Sequence, residues 1–385
     1  MKETELLYIQ DPIFSKSYST HEALISSCIH SVKGYGSYAF ASASGVEILF
    51  EDKEFDGLLD RGTYSMVVGI DEITNLKCLD KLNEIVSKKP NFSVKAYHQE
   101  SKSSLFHPKF SFFQHNSGDG SLIAGSGNLT LGGLRKNKEA FGLLPLSEDE
   151  FNRMEDYWGS WLAESSQNLK DIDDNDVIEK ARENIFRKHS QALAKDQQIV
   201  ETDDEGEGEG EGEGEGEQSE LETSITEGWH YGDNSQVLVA EIPKSGNRWK
   251  QANFDVGTFQ NFFGAMPGDN SQRILLRSLK DDAALSSIEV RPSVSVKSKN
   301  YRFELDAAAG LFYPVEGPPI GIFIQLTTRM FIYHLFMPDH ILYEEIADWM
   351  NHNWQGRADR MKRIIASSLE LDSILSKSVF INYKV

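Results

Sequence analysis

Cysteine is nearly missing from this chain. Cys28 and Cys78 are its two, and they form neither a C-x-x-C pair nor a framework of bridges, so a disulfide-stapled scaffold is excluded. Both read as buried apolar fillers. Long apolar runs are missing as well, since none reaches the eighteen or so residues that span a bilayer. A membrane-embedded protein is thereby set aside. The start, Met1-Lys2-Glu3-Thr4-Glu5, is acidic and leads into no apolar h-region, so the expectation is a cytoplasmic chain. There is no H-E-x-x-H, no carboxylate-rich nuclease motif, no Cys/His cluster with metal-ligand spacing and no G-x-x-x-x-G-K-[ST] loop. Neither a resident metal nor a nucleotide site of its own is expected, and no cofactor is implied. No repeat of 20–50 residues is visible.

Basic residues are the other shortage: 39 Lys and Arg stand against 60 Asp and Glu, a net charge of −21. That would count against a polyanionic partner, because nucleic-acid binding draws much of its affinity from lysine and arginine on phosphates. The distribution of the charge removes that objection. Residues 201–222 hold twelve acidic groups and no basic one, which leaves −8 for residues 1–200 and about −1 for residues 223–385. DNA is not excluded.

The acidic tract runs from Glu205 to Glu217 as a strict Glu-Gly alternation. Such a segment buries no apolar area, and like charges at every second position keep it extended, so it is expected to be a disordered linker. Over the 22 residues 201–222 a flexible coil spans roughly 26 Å. Its reading is a solvated spacer; a sharper alternative is a mimic of DNA charge that competes for a basic groove in the same molecule. At 385 residues the chain is longer than one core usually organises, so two domains are expected, 1–200 and 223–385, on either side of it.

Before the linker, short apolar strands alternate with helical stretches, as in α/β folds. Strands are expected at Val46–Phe50, Tyr64–Ile70, Ser93–Tyr97, Lys109–Phe113, Ser121–Ala124 and Glu139–Leu144, and helices at Asp71–Lys88, Asp149–Ser165 and Asp174–Ala194. After it, many short β-rich runs predict a compact β-barrel: Gln236–Glu241, Arg273–Leu276, Ser287–Val290, Tyr301–Glu304 and Ile320–Thr327. Helical periodicity returns at Ile341–Met350 and Arg360–Leu375.

One stretch concentrates the chemistry. His107 and Lys109 stand two apart in an expected strand, so they present an imidazole and an ammonium on one face. That pair suits attack on a phosphate. A polar turn, Asn116-Ser-Gly-Asp-Gly120, leads to a second strand that ends in Gly125-Ser126-Gly127-Asn128. This turn offers backbone N–H groups, a hydroxyl and an amide to non-bridging oxygens. Glu139, eleven residues after Asn128, can accept from a histidine ring nitrogen and fix its tautomer.

His-x-Lys followed by Gly-Ser-x-Asn resembles the phospholipase D superfamily motif. The usual Asp a few residues after the lysine is missing: Gln114 stands five past Lys109, and no carboxylate comes before Asp119. That departure, with Glu139 beyond Asn128, is similar to the BfiI-like restriction endonucleases and shares the layout of the NgoFVII type. The resemblance implies a metal-independent nuclease domain followed by a B3-like DNA-binding domain, a pseudobarrel. It further implies His107, Lys109, Asn128 and Glu139 as active-site residues, with Ser126 fitting the motif.

Superfamily chemistry uses two H-x-K motifs, one histidine as nucleophile giving a phosphohistidine and the other protonating the leaving oxygen. With one copy in this chain, a homodimer that shares its site across the twofold axis is expected. In the second half, the run of Lys244, Asn247, Arg248, Trp249 and Lys250 and the run of Arg291, Lys297, Lys299, Asn300 and Arg302 look like the two arms with which B3-like domains grip the major groove. The expected function is therefore site-specific cleavage of double-stranded DNA. A separate NTP-dependent translocase and a cognate methyltransferase stand as open partners. The remaining alternatives are a DNA-binding protein whose first half only dimerises and a lipid hydrolase, the latter disfavoured because the acidic linker would be repelled by anionic headgroups.

Overall fold

A computed structural model of the chain describes residues 6–14, 16–99, 105–184, 228–244, 249–266, 269, 271–293, 301–357 and 360–385. The Glu-Gly tract lies outside them. The chain divides into two compact units, one built mainly from residues up to Gly214 and one mainly from Glu215 to Val385.

The first unit is a mixed eight-stranded sheet covered by helices. Its strands are β1 (Leu7–Gln10), β2 (Ser31–Tyr38), β3 (Thr63–Gly69), β4 (Phe92–Tyr97), β5 (Lys109–His115), β6 (Gly120–Gly125), β7 (Glu139–Leu146) and β8 (Leu169–Lys170). They lie in the order β1-β7-β6-β5-β2-β3-β4-β8. β2 pairs in parallel with β3 and antiparallel with β5, which puts it near the middle of the sheet. Its sequence, SVKGYGSY, hides this because two glycines in eight residues read as a loop. The glycines are there for a packing reason. A Cβ on Gly34 would stand 2.7 Å from the Tyr64 ring and 2.8 Å from that of Phe113, and one on Gly36 would overlap the Tyr64 hydroxyl. Large aromatic rings therefore lie flat over β2.

Helices α1 (Thr20–Cys28), α2 (Ala43–Phe50), α3 (Lys53–Arg61), α4 (Leu76–Lys88) and α5 (Glu148–Glu164) complete the unit, with a further helix from residue 175. The expected strand at Val46–Phe50 is helical instead. A short apolar run fits either period, and here Ser42 caps α2 through Gly45 N while Val46, Ile48 and Leu49 are buried at helical spacing. The expected helix at Asp71–Lys88 starts five residues late, at Leu76, because the Asn75 side chain caps Cys78 N and Glu72 adopts a φ of 53°. Ser19 and Glu22 form a capping box at α1, and Ser147 and Glu150 form another at α5. No helix among the described residues is long and apolar enough to cross a membrane.

The second unit holds β9 (Gln236–Glu241), β10 (Gln251–Phe254), β11 (Arg273–Ser278), β12 (Glu289–Pro292), β13 (Tyr301–Glu304), β14 (Ile320–Thr327), β15 (Met330–Phe336) and β16 (Arg363–Ser367). Six of them form one open sheet, β12-β11-β15-β14-β9-β16, and β10 with β13 forms a two-stranded ribbon. The mainly β character expected of this half is present, but the described strands do not close into a barrel. Part of the expected helix at Arg360–Leu375 is β16, paired with β9 from Arg363 to Ser367; helix is confined to Asp372–Leu375. Phe254, Phe259, Phe262, Phe263, Phe303, Phe323 and Phe331 fill the core between sheet and ribbon.

Beneath the first unit's sheet end lies a buried polar cluster. Arg135 Nη1 donates to Ser19 Oγ at 3.0 Å and stands 3.3 Å from Glu22 Oε1, and both charged side chains are fully buried. Gln10 Nε2 donates to the carbonyls of Gly132, Gly133 and Asn137 at 3.0–3.4 Å, while Gln10 Oε1 accepts from Thr20 N at 2.9 Å. A π-helical turn, Gly132–Lys136, is thus bolted to the start of α1. Removing one partner leaves a buried charge uncompensated. Arg135→Met should destabilise the unit by about 3–5 kcal/mol, read as a lowered urea midpoint; an unchanged midpoint would show that the pair is dispensable.

Candidate active site

β5 and β6 are neighbouring antiparallel strands, with Phe110 opposite Ala124 and Ser111 opposite Ile123. This pairing brings the two motifs together, because His107 and Lys109 precede or open β5 while Gly125-Ser126-Gly127-Asn128 closes β6. Alternation along β5 sends Phe110 and Phe112 to the side of α5, where they meet Trp158 and Phe151. Ser111 faces the other side, where its hydroxyl is shared with the buried hydroxyls of Tyr38 at 2.7 Å and Tyr64 at 2.9 Å. Burial pushes the Tyr38 hydroxyl up to about 12, so the three groups stay neutral.

Lys109 Nζ lies 3.0 Å from both ring nitrogens of the exposed His107 and 3.2 Å from its carbonyl oxygen. An ammonium only donates, so the ring nitrogen it faces must present a lone pair. Burial lowers the pKa of Lys109, and the nearby Glu139 carboxylate works against that shift. His107 also meets the Phe40 ring edge-on, at 5.9 Å and 72°.

The segment after β2 stitches both motifs to one place. Ala39 N donates to Pro108 O at 2.8 Å, Leu129 N to Phe40 O at 3.1 Å, and Ser42 N to Leu129 O at 3.0 Å. Phe40 N donates to Asn128 Oδ1 at 3.2 Å, which fixes the amide so that its NH₂ end is the one offered to a ligand. The glycines of the second motif are required by close approach: a Cβ on Gly125 would stand 2.4 Å from Ala140 O, and one on Gly127 would stand 2.6 Å from Gly133 O.

Glu139, at the start of β7, accepts from the Ser126 hydroxyl and from Asn137 Nδ2 at 3.2 Å. Within one chain its partners are these groups rather than the His107 ring. Ser126 is fully engaged, since its hydroxyl also accepts from Ala140 N at 3.1 Å and its own N–H donates to Ala140 O at 3.0 Å. The Ser126 amide is therefore not available to hold an anion oxygen, contrary to expectation. Ser126 sets the carboxylate of Glu139 instead.

A residue outside both motifs lies at the floor of this site. A small cleft is lined by Thr20, Lys109, Gly125 and Gly127, among others. Thr20 is 5% exposed, and its Oγ1 has no hydrogen-bond partner among the described residues. Its chain neighbour Ser19 begins the S-x-x-E capping box, a sequence signal that marks the start of α1 but not where that start points.

The expected DNA arms fare unevenly. Asn247, Arg248, Lys297, Lys299 and Asn300 lie outside the described residues. Lys250 is exposed, and Lys244 Nζ sits 5.8 Å from the centre of the Tyr313 ring. Trp249 is a core residue: it is 5% exposed, packs against Tyr313 and donates from Nε1 to Leu311 O at 3.1 Å. It is therefore withdrawn as a DNA contact. Arg291 is also withdrawn, because its guanidinium is held by Glu289 at 2.8 Å and Asp306 at 2.6 Å. Arg302 lies in the ribbon, 3.4 Å from Gln251 Oε1. Gln251 pairs with Glu304 and Phe254 with Tyr301, so β10 and β13 start at opposite ends of the ribbon, about 10 Å apart at strand rise.

No protein-family model matches this chain, and no curated protein matches it. Among solved structures it is similar to NucT from Helicobacter pylori, at 13% identity over 43% of this chain and 96% of that one, with a TM-score of 0.29. It is also similar to a phospholipase D family member, Nuc from Salmonella typhimurium, at 15% identity over 43% of this chain and 96% of that one (TM-score 0.30). A third similarity is to the N-terminal domain of Helicobacter pylori LlaJI.R1, at 10% identity over 34% of this chain and 97% of that one (TM-score 0.25).

A group that donates to a charged oxygen contributes about 1.5–3 kcal/mol. Lys109→Met should therefore weaken binding of inorganic phosphate by roughly tenfold or more. Calorimetric titration with phosphate checks this, and equal affinities for Lys and Met would remove Lys109 from the site.

Proposed function

We propose that the chain is a phospholipase D-like nuclease of the restriction type, which cleaves DNA phosphodiesters through a covalent phosphohistidine. The reading is carried by one observation: an ammonium held 3.0 Å from the His107 ring nitrogens, with the Glu139 carboxylate near enough to act on it. In the resting arrangement Lys109 occupies the ring's lone pair. An arriving phosphate supplies better acceptors for the ammonium, which frees the imidazole to attack.

The chemistry then needs two imidazoles. One His107 forms an N–P bond as the P–O bond to the leaving strand breaks, and the departing oxygen takes a proton from His107 of the partner subunit. Water then attacks phosphorus, the N–P bond breaks, and the partner's His107, now neutral, takes the water's proton. The developing negative charge on the phosphoryl oxygens is met by Lys109 and the Asn128 NH₂. Because the chain has a single H-x-K, the reading requires a homodimer, with the second unit supplying B3-like recognition of double-stranded DNA through the arms around Lys244–Lys250 and 293–302.

Plasmid digestion by the purified protein tests the reading. Cleavage should proceed in EDTA and without nucleotide, and strict Mg²⁺ dependence would overturn the mechanism. His107→Ala should lower cleavage by about four orders of magnitude or more, as loss of a nucleophile does elsewhere, while leaving specific DNA binding in place. Arg248→Ala or Lys250→Ala should weaken that binding by about 1–3 kcal/mol if the side chain reads a base. A fully active monomer in sedimentation would contradict the shared site.

A further inference from the structure

The second unit contains a side-chain cluster that DNA recognition does not use. His334, in β15, is 3% exposed, yet its Nε2 has no hydrogen-bond partner among the described residues. Its Nδ1 lies 2.8 Å from Leu279 O. A carbonyl oxygen only accepts, so Nδ1 carries the proton and the neutral ring turns the Nε2 lone pair the other way. What it meets there is a carboxylate, Asp281 Oδ1, at 3.4 Å. Two acceptors facing each other repel unless something positive lies between them. The third member is His340, and one ligand atom from each of Asp281, His334 and His340 lies within 4.8 Å of the other two.

We propose that Asp281, His334 and His340 form a binding site for one divalent transition-metal ion of the zinc class. Ligands of a tetrahedral zinc ion, at about 2.0–2.2 Å from the metal, stand about 3.3–3.5 Å from one another, and the Asp281–His334 separation already has that value. A backbone carbonyl on the non-ligating nitrogen is the usual support for a metal-bound histidine, because it fixes the tautomer and the ring plane, and Leu279 O supplies it here. Two imidazoles with one carboxylate suit zinc and its neighbours rather than magnesium or calcium, which prefer all-oxygen shells. The Phe336 ring packs against both imidazoles, 4.5 Å from His334 and 4.8 Å from His340, and gives the cluster an apolar wall. His340 Nδ1 accepts from Leu342 N at 3.1 Å, so coordination by this ring displaces either that bond or a ring proton. Two ligands are thus pre-set and the third closes on the ion.

The three residues come from separate segments: the turn after β11, the last part of β15, and the turn that leads into the helix Tyr343–Asn353. The first of these turns contains Ala283 at a φ of 65°, a conformation uncommon for a residue with a side chain. An ion would staple the three together, a structural role distant in sequence from His107.

The test uses the untagged full-length chain, stripped with chelator, dialysed and titrated with Zn²⁺ in a calorimeter, with Co²⁺ absorption reporting nitrogen ligation. One equivalent per chain is expected for the native sequence and for His107→Ala. Asp281 is 84% exposed at its side chain, so Asp281→Ala should fold normally and bind at least tenfold more weakly, as should His334→Gln. Absence of saturable uptake would overturn the proposal, as would uptake unchanged in both variants or lost in His107→Ala.

Discussion

Three backbone hydrogen bonds made by the residues just after β2 hold the candidate active site together. Ala39 N to Pro108 O, Leu129 N to Phe40 O and Ser42 N to Leu129 O tie one extended segment to the start of β5 on one side and to the end of β6 on the other. Without that bridge the H-x-K and G-S-x-N motifs would sit on strand ends free to splay apart. The bridge exists because β2 is central and bears glycines where Tyr64 and Phe113 lie across it, so the chain leaves the sheet at a fixed height. The geometry of the site follows from how aromatic rings lie against the two glycines of this central strand.

A second layer of restraint is polar and buried. Ser19, Glu22 and Arg135 satisfy one another, while Gln10 gathers three carbonyls of the turn that follows Asn128. A buried ion pair is weak support for stability as such, since desolvation offsets its attraction. Its better-attested value lies in fixing one arrangement among several. In this fold it joins the N-terminus of α1 to the second motif, which is why Thr20 reaches the floor of the cleft. Lys109 feels the same enclosure: burial weakens its hold on a proton, and Glu139 opposes that effect.

In the second unit, an aromatic and a cation that the linear pattern places in DNA-facing loops turn out to be structural. Trp249 goes inward under Leu311 and Tyr313, and Arg291 is captured by two carboxylates. An aromatic or a cation in a Gly-containing run is therefore poor evidence for a nucleic-acid contact until its partners are known.

The motif residues are legible in the linear sequence because spacing is local: His107 and Lys109 stand two residues apart at the start of β5, and a polar turn of five residues returns the chain alongside. Composition likewise marks the Glu-Gly tract and the change from mixed α/β to mainly β texture. What the linear pattern misjudges are segments whose state depends on neighbours far along the chain. Residues 31–38 form a strand despite their glycines, because other residues' rings need the space. Residues 46–50 form a helix despite a strand-like composition, because Ser42 caps them and the neighbouring helix α4 packs beside them. Residues 363–367 join β9 as an edge strand despite helical periodicity. The company each site residue keeps is decided in the same non-local way: the Asn128 amide is oriented by Phe40, Glu139 is bound by Ser126, and Thr20, more than eighty residues upstream, completes the cleft. Side-chain type and spacing are written in one dimension, but which groups share a hydrogen bond or a buried volume is set only when distant segments pack.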